Sequence, residues 1–361
     1  MYKMRNIGKV VLTALLLCAV AFNASAKKKE EKKAASGGKI PDWTNNPSKY
    51  YPTAQYFTGV GSARSRSDAE LQSVTELASV FRQSVSGTTA ASSRMTQFMG
   101  ADGSYTNTSD SEISQSTKNK IAHDNLIGIE IRESFHDEKN NTWYVLAVME
   151  KAKVTELYRS MIQKNQNEIA LLRNQVAAST DKYTLDNFVR LDFARELALA
   201  NDVSIKRLLV VNPSAGTAMQ GVTTPAATLQ KEARELAIKI PICIKVENDD
   251  DNRISKAFAE VMSQAGFNTT SGSNERYQIL CDITYWDDKS SDGKTQFANY
   301  TVTGGLVDTS VGEELVPLSF TGREGSPTIE NARQRAKSTI VNKIKQNFKQ
   351  SFSRYLQTAS I

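Results

Sequence analysis

Histidine is the side chain most often used as a general base or zinc ligand near neutral pH, and it occurs only at His123 and His136. A zinc site requires further His, Cys, Asp or Glu ligands at short spacing, and neither histidine has them. The chain also contains neither a G-x-S-x-G nor an H-E-x-x-H motif. We therefore interpret both residues as exposed histidines of a polar strand region, and we predict no catalytic residue, no metal and no cofactor.

Two glycines, Gly59 and Gly61, lie between a predicted strand and a predicted helix, which is where a dinucleotide-binding fingerprint would place them. Arg64 stands at the position of the third glycine, and no βαβ unit with an acidic partner follows. A tight turn between the strand and the helix explains both glycines without a ligand.

Three consecutive acids, Asp249, Asp250 and Asp251, precede another predicted helix. They lack the alternating oxygen ligands, the central glycine and the distal glutamate of a calcium-binding EF-hand loop. We expect them instead to complement the positive end of the helix dipole.

The last predicted helix has Ser326 as its capping residue and Pro327 at its first position, and it has one apolar face and one basic face. Against the single acid Glu330 it carries seven cations: Arg333, Arg335, Lys337, Lys343, Lys345, Lys349 and Arg354. The candidates for contact with anionic lipid headgroups or an acidic partner are Arg335, Lys343, Lys345 and Lys349. A solvated helix face is the alternative interpretation.

Cys243 and Cys281 fall in predicted strands, 239–246 and 277–286, of one domain. Exported proteins often fold under oxidising conditions, so a disulfide between neighbouring strands is one prediction, provided that their Cα atoms approach within about 7 Å. Two buried free thiols are the alternative.

The elements that would position these residues indicate two α+β domains, at 41–152 and 233–361. The first combines a strand, a helix and a hairpin of strands at 126–131 and 143–148. Its segment 84–117 holds 15 Ser or Thr among 34 residues, which fits either twisted edge strands or a mobile flap. The second domain follows the order β-α-β-β-β-α.

Two long amphipathic patterns between these domains predict an antiparallel helical hairpin at 153–211. The segment 212–232, rich in Pro, Gly and Thr, is predicted to be a linker. The predicted fold class is therefore α+β, with two small α/β-sandwich domains that have antiparallel sheets and are joined by a long helical hairpin.

The first 26 residues have the features of a secretory signal peptide, with a basic start, a 13-residue apolar run and a small-x-small motif. We predict cleavage after Ala26 and a charged, flexible leader at 27–40. The apolar run is too short to span a bilayer. Leucine precedes Cys18, which fits a lipoprotein signal badly and disfavours lipidation there. The mature protein is expected to be periplasmic or associated with the outer membrane.

The 361 residues leave room for about two domains. The basic pI of about 9.0 comes from the N-terminal residues, because acids and bases balance from residue 34 onward. We therefore predict no nucleic-acid partner.

The residues Pro41, Asp42 and Trp43, the strand 56–63 and the hairpin 126–148 resemble the Lpp-twenty family of bacterial envelope lipoproteins. The resemblance covers about residues 41–160 and extends to the N-terminal domain of flagellar assembly protein T. The C-terminal domain is similar, more weakly, to the N-terminal domain of the TolB translocation protein. These resemblances imply envelope docking or assembly modules without a known catalytic site, and they carry over no functional residues.

We accordingly expect a non-enzymatic cell-envelope adaptor or assembly protein that binds other envelope proteins. One alternative is an envelope glycan hydrolase that uses paired carboxylates such as Glu130 and Glu133, which would have to lie about 5–10 Å apart across a cleft. Another is a peripheral membrane binder that uses the basic C-terminal helix.

Overall fold

The computed structural model describes residues 35–36, 38–88, 126–272 and 274–358. The predicted signal peptide with its cleavage after Ala26, Cys18, His123 and most of the Ser/Thr-rich segment lie outside the described residues. No helix within the described ranges is long and apolar enough to cross a membrane.

The chain forms two compact units. The described residues up to Asn167, together with Leu199–Thr223, make the N-terminal unit. Glu168–Ala198 and the described residues from Thr224 onward make the C-terminal unit. The predicted hairpin is present as helices α3 (Lys151–Ala178) and α4 (Leu185–Val211), and the residues of each helix divide between the two units.

The N-terminal unit contains a four-stranded sheet. Its elements in chain order are β1 (Ala35–Ser36), a 3₁₀ turn (Asp42–Thr44), α1 (Pro47–Tyr50), β2 (Tyr56–Ala63), α2 (Arg66–Thr88), β3 (Ile129–Asp137) and β4 (Thr142–Glu150). The strand order is β1-β3-β4-β2, with β2 and β3 antiparallel to β4 and β1 parallel to β3. Part of the predicted flexible leader is therefore a short strand, because β1 pairs with the end of β3.

Strand β4 is buried on both faces, which explains its continuous apolar run from Val145 to Met149. Ala147 and Met149 belong to a core with Leu77 and Phe81 of α2 and with residues of α3 and α4. On the opposite face, Leu146 and Val148 pack with Trp43 and Phe135. Strand β4 therefore lies between the two hydrophobic clusters of this unit.

Gly59 and Gly61 lie inside β2, so the prediction that they form a strand-to-helix turn is wrong. A Cβ atom on Gly59 would lie 2.3 Å from the Ser73 carbonyl oxygen, and one on Gly61 would lie 2.1 Å from the Ala69 carbonyl oxygen. Both acceptors belong to α2. The glycines are needed because the backbone of α2 lies directly on the backbone of β2, with no space for a side chain between them.

The C-terminal unit contains a five-stranded sheet. Helix α5 (Pro213–Val222) still belongs to the N-terminal unit. The further elements of the C-terminal unit are α6 (Ala226–Ile238), β5 (Ile242–Glu247), α7 (Arg253–Gln264), β6 (Thr269–Thr270), β7 (Tyr277–Lys289), β8 (Gln296–Asp308), β9 (Glu313–Ser326), α8 (Ile329–Lys343), a π-helical segment (Ile344–Phe348) and α9 (Lys349–Thr358). The last three are continuous, and together we call them the C-terminal helix. The strand order is β6-β5-β7-β8-β9. The predicted α+β class with antiparallel sheets is confirmed, and β5 additionally pairs in parallel with β6 and β7.

The segment predicted as a linker, 212–232, is instead largely helical, since it contains α5 and the start of α6. Asn212 caps α5 by accepting a hydrogen bond from the Ala215 amide at 3.1 Å, and Pro213 occupies the first helical position. Asn-Pro is thus a helix start here rather than a loop signal.

One face of the C-terminal sheet carries the core of its unit. Alternate residues of β7, including Ile279 and Ile283, are buried against α7 and the C-terminal helix. Phe258 of α7 meets Phe348 with ring centroids 5.0 Å apart. The two helices therefore share one side of the sheet.

The C-terminal helix buries Ile340, Ile344, Phe348 and Phe352 at intervals of four residues. Each four-residue step of an α-helix overshoots a full turn by about 40°. The π-helical segment, with wider i→i+5 turns, offsets this drift and keeps all four side chains directed at the core.

Candidate functional site

The histidine that the structure describes, His136, lies next to the turn of the β3–β4 hairpin. Its ring stacks on Trp143 with centroids 4.6 Å apart, and its Nε2 lies 3.3 Å from Asn141 Oδ1. Within the described residues no group of three His, Cys, Asp or Glu side chains could hold a metal ion. His136 therefore serves as a packing partner of the hairpin.

The two glutamates of the hydrolase alternative lie on the same face of β3. A bulge between Ile131 and Glu133 places Glu130 opposite Val148 and Glu133 opposite Leu146. Glu130 forms ion pairs with Lys153 and, at 3.1 Å, with Arg132. Glu133 accepts a hydrogen bond from the Tyr51 hydroxyl at 3.2 Å. Both carboxylates thus hold neighbouring side chains at the bulge.

The acidic turn before α7 acts as a cap. The Asp249 carboxylate accepts hydrogen bonds from the amides of Ile254 at 3.2 Å and Ser255 at 2.8 Å, and Asp251 pairs with Lys337 at 3.1 Å. Asp249 therefore caps α7, and Asp251 links the turn to α8.

Cys243 and Cys281 are both free and buried. In the parallel β5–β7 ladder Cys243 lies opposite Gln278, whereas Cys281 lies opposite Val246, three pairs further along. Because side chains alternate between the faces of a sheet, the two sulfur atoms lie on opposite faces. The predicted disulfide is therefore excluded by geometry, and the free-thiol alternative agrees with the structure.

We expect both thiols to be unreactive in the folded protein. Burial raises the pKa of Cys281 to about 12, with smaller effects from Asp282 and Asp249, and burial likewise raises the pKa of Cys243. The thiolate is the reactive form, so a maleimide at pH 8 should label neither residue until the protein is unfolded. Mass spectrometry of the labelled, unreduced protein should then show both cysteines modified. Finding them joined as a disulfide would contradict the described register.

The four cations proposed from sequence as one anionic contact surface divide between two sides of the C-terminal helix. Arg335 donates to the Gly325 carbonyl oxygen at 2.8 Å and Lys343 to the Thr321 carbonyl oxygen at 3.2 Å, both on β9. On the other side, Lys345 pairs with Glu260 of α7, and Lys349 donates to Gln264 Oε1 at 3.2 Å. These cations consequently form two groups with different neighbours rather than one continuous basic stripe.

The sheet of the C-terminal unit has a second, solvent-facing side, which we call the open face. It includes these side chains of β7, β8 and β9 that point away from the core: Leu280, Asp282, Thr284, Trp286, Asp288, Phe297, Asn299, Thr301, Thr303, Pro317, Ser319, Thr321 and Arg323. Trp286 is 49% exposed and Leu280 is 38% exposed. Two large apolar side chains therefore stand in water among short hydroxyl side chains.

Near Trp286 the open face has an ordered cluster of side chains. Arg323 lies over the ring of Phe297 at 3.7 Å and pairs with Asp288 at 2.7 Å. Trp286, Asn299 and Arg323 are paired in one row across β7, β8 and β9, so the indole and the guanidinium lie on the same face with Asn299 between them. The cluster presents an aromatic side chain and a cation in a fixed arrangement to solvent.

The open face is absent from the sequence-based predictions, although its signal is present in the sequence. In β7 the apolar residues Tyr277, Ile279 and Ile283 alternate with polar residues, and Trp286 falls on the polar side of that alternation. An aromatic residue out of phase with the core pattern could have been recognised as exposed.

Comparison with known proteins gives one family match. Residues 41–150 match the model of the LPP20 (Lpp-twenty) lipoprotein family. The resemblance noted for this part of the sequence is thereby confirmed for its N-terminal domain. No curated protein matches the chain.

Among solved structures, the chain is similar to a secreted protein of Helicobacter pylori, with 15% identity, a TM-score of 0.41, and coverage of 84% of this chain and 97% of that one. A minor lipoprotein of Acinetobacter baumannii has 15% identity, a TM-score of 0.25, and coverage of 32% and 92%. A lipoprotein of Neisseria meningitidis has 17% identity, a TM-score of 0.21, and coverage of 29% and 96%.

Proposed function

We propose that this chain is a non-enzymatic protein of the bacterial cell envelope that binds other envelope proteins through the open face of its C-terminal unit. The match of residues 41–150 to a lipoprotein family supports the compartment. The observation that carries the binding function is Trp286, which is 49% exposed on β7, beyond the part of this strand that pairs with β5.

The composition of the open face favours protein recognition. Trp and Arg are the residue types most enriched at the energetic centres of interfaces, and the open face carries both, at Trp286 and Arg323. Covering the exposed half of the Trp286 indole would contribute about 3 kcal/mol at roughly 25 cal/mol per Å². The rigid sheet holds this side chain in place, so little entropy is lost on binding.

Several contacts support the absence of catalysis. Glu130 and Glu133 are engaged by Lys153 and Tyr51, and His136 stacks on Trp143. A general acid or base must exchange its proton with a substrate, and these side chains are instead used to hold the hairpin.

Site-specific crosslinking in living cells tests this function. A photoreactive amino acid at Thr284, which neighbours Trp286 on the open face, should form crosslinks to at least one other envelope protein identified by mass spectrometry. Adding Trp286→Ser should reduce these crosslinks at least tenfold, because the indole supplies the central contact.

Val311 offers a matched control position. It is 67% exposed in the β8–β9 turn, in the same unit but away from the open face. The photoreactive residue at 311 should yield background only, and Val311→Ser should leave the crosslinks from position 284 unchanged. Equal crosslinking from 284 and 311, or full crosslinking in the Trp286→Ser protein, would refute binding through the open face.

A further inference from the structure

Among the described strands, β9 is an edge of its sheet, because the strand order ends β7-β8-β9. The Gly325 and Thr321 carbonyls accept hydrogen bonds from Arg335 and Lys343 of α8, so they point away from β8 and towards the free edge. Backbone groups alternate in direction along a strand, which directs those of Arg323, between them, to the same side. The edge thus has at least two carbonyls that accept hydrogen bonds from charged side chains.

A depression of about 460 Å³ adjoins this edge, between β9 and α8. It is lined by Glu324, Asn331, Gln334, Arg335, Ser338 and Thr339. All six side chains carry hydrogen-bonding groups. A strand edge beside a helix with a groove between them is the geometry in which domains bind an added peptide strand.

The charge of the groove is positive at Arg335. Neighbouring cations of α8 have acidic partners, since Arg333 pairs with Asp287 at 2.6 Å and Lys337 with Asp251 at 3.1 Å. Among the described residues, Arg335 instead contacts a backbone carbonyl. Glu324, the acid of the groove, accepts a hydrogen bond from Thr339 at 2.8 Å. A ligand with an acidic side chain would therefore complement Arg335, rather than the groove as a whole, whose lining also includes Glu324.

We propose that an extended, acidic segment of a partner protein adds to the free edge of β9 and places a carboxylate on Arg335. This inference rests on the proposed binding function and assigns it a second surface with a defined ligand class. The Arg335 guanidinium turns from the Gly325 carbonyl to the incoming carboxylate, where two parallel hydrogen bonds form. A backbone amide of the incoming strand then donates to the released carbonyl.

This exchange leaves no buried polar group without a partner. The released Gly325 carbonyl gains an amide donor, and Arg335 exchanges a hydrogen bond to a neutral carbonyl for an ion pair with a carboxylate. In the absence of the segment, Arg335 and Lys343 cover the edge and thereby protect it from pairing with unrelated strands.

The test measures binding of a labelled peptide to the mature full-length chain by fluorescence anisotropy. The probe is an extended peptide of about ten residues in which Glu alternates with Thr or Val. Arg335→Gln should weaken its binding about tenfold, the effect of losing one charge-assisted pair. Arg333→Gln, two residues away on the same helix and already paired with Asp287, should change it less than twofold.

Two further peptides separate strand addition from simple charge attraction. The same sequence with N-methyl groups on alternate amides keeps its charge but cannot pair with β9, and it should bind at least tenfold more weakly. A peptide with Lys in place of Glu should not bind. Thermal melts of both variants establish that they remain folded.

Equal affinity of the Arg335→Gln and native proteins, equal affinity of the N-methylated and unmodified peptides, or binding to vesicles of anionic phospholipid in place of the peptide would each overturn the inference. None of these outcomes affects the crosslinks from position 284 on the open face. Conversely, loss of those crosslinks with intact peptide binding would refute the proposed use of the open face and leave this groove standing.

Discussion

Replacing Gly61 with alanine is expected to destabilise the N-terminal unit by about 3 kcal/mol, at the upper end of the usual cost of overpacking a core. The added Cβ would lie 2.1 Å from the Ala69 carbonyl oxygen and 2.4 Å from the Ser73 amide nitrogen. Both atoms are backbone, so α2 itself would have to move away from β2. The buried contacts of Ser73, Leu77 and Phe81 would then loosen together.

The tryptophans of the chain allow this unit to be followed alone. Trp43 and Trp143 lie in the N-terminal unit and Trp286 in the C-terminal unit. In a Trp286→Phe background, fluorescence during thermal unfolding reports the N-terminal unit, and Gly61→Ala should lower its Tm by about 10 °C.

Gly221 in α5 is the matched control, because it belongs to the same unit and a Cβ there meets nothing within 4 Å. Gly221→Ala should leave the Tm unchanged or raise it slightly, since alanine favours the helix by about 0.5–1 kcal/mol. A Gly61→Ala protein that melts like the Gly221→Ala protein would show that α2 does not contact β2 at this distance.

The role of these glycines could not be predicted from local sequence. The strand, the helix and their order follow from alternation and from the three- and four-residue spacing of apolar residues in α2. That the helix lies on the strand with no side chain between is a tertiary contact, and the same two glycines are equally compatible with a turn.

In the C-terminal sheet, too, the sequence predicts the elements but not the contacts between them. Its strands and the existence of helix α8 follow from sequence patterns. The predicted cap does not, because Ser326 ends β9 and Thr328 instead accepts a hydrogen bond from the Asn331 amide. The pairing register does not follow from them, and the register is what separates Cys243 from Cys281. Two strand cysteines share a face only if an even number of ladder positions separates them, and a single bulge or register shift reverses this.

The basic helix illustrates why a linear count of charge misleads. Seven cations against Glu330 predict one basic surface. In the structure Arg333, Lys337 and Lys345 have carboxylate partners on other elements. Those carboxylates lie far away in sequence, so only the fold distinguishes Arg335, which holds a backbone carbonyl, from its neighbours.

The ion pair between Arg276 and Asp308 is expected to be the strongest electrostatic contribution to the C-terminal unit. Arg276 Nε and Nη2 lie 2.9 Å and 2.7 Å from Asp308 Oδ2, and Arg276 also pairs with Asp181 at 2.8 Å. The Asp308 side chain is only 7% exposed. Arg276→Met would leave a buried carboxylate without its cation and should cost about 3 kcal/mol.

Arg333→Met is the matched control, since Arg333 pairs with Asp287 at 2.6 Å on side chains that are 55% and 40% exposed. Exposed pairs contribute at most about 1 kcal/mol, so this variant should unfold close to the native protein. Hydrogen exchange of β7 and β8 in urea measures both effects within the unit. A cost of under about 1 kcal/mol for Arg276→Met would refute the structural importance of this pair.

The Arg276→Met effect should depend on pH. Burial alone raises the pKa of Asp308, but hydrogen bonds from Arg276 and Ser310 outweigh it and lower the pKa below its usual value. A lowered pKa contributes stability that is present above the unfolded-state value of about 4 and is lost as the pH falls through the folded-state value. Without Arg276, burial raises the pKa of Asp308 with less opposition. Protonating Asp308 therefore reduces the stability of the variant less than it reduces the stability of the native protein. The difference in unfolding free energy between the two proteins should therefore be largest at pH 7 and shrink below about pH 4. A difference that grows on acidification would contradict the role of Arg276 in lowering the pKa of Asp308.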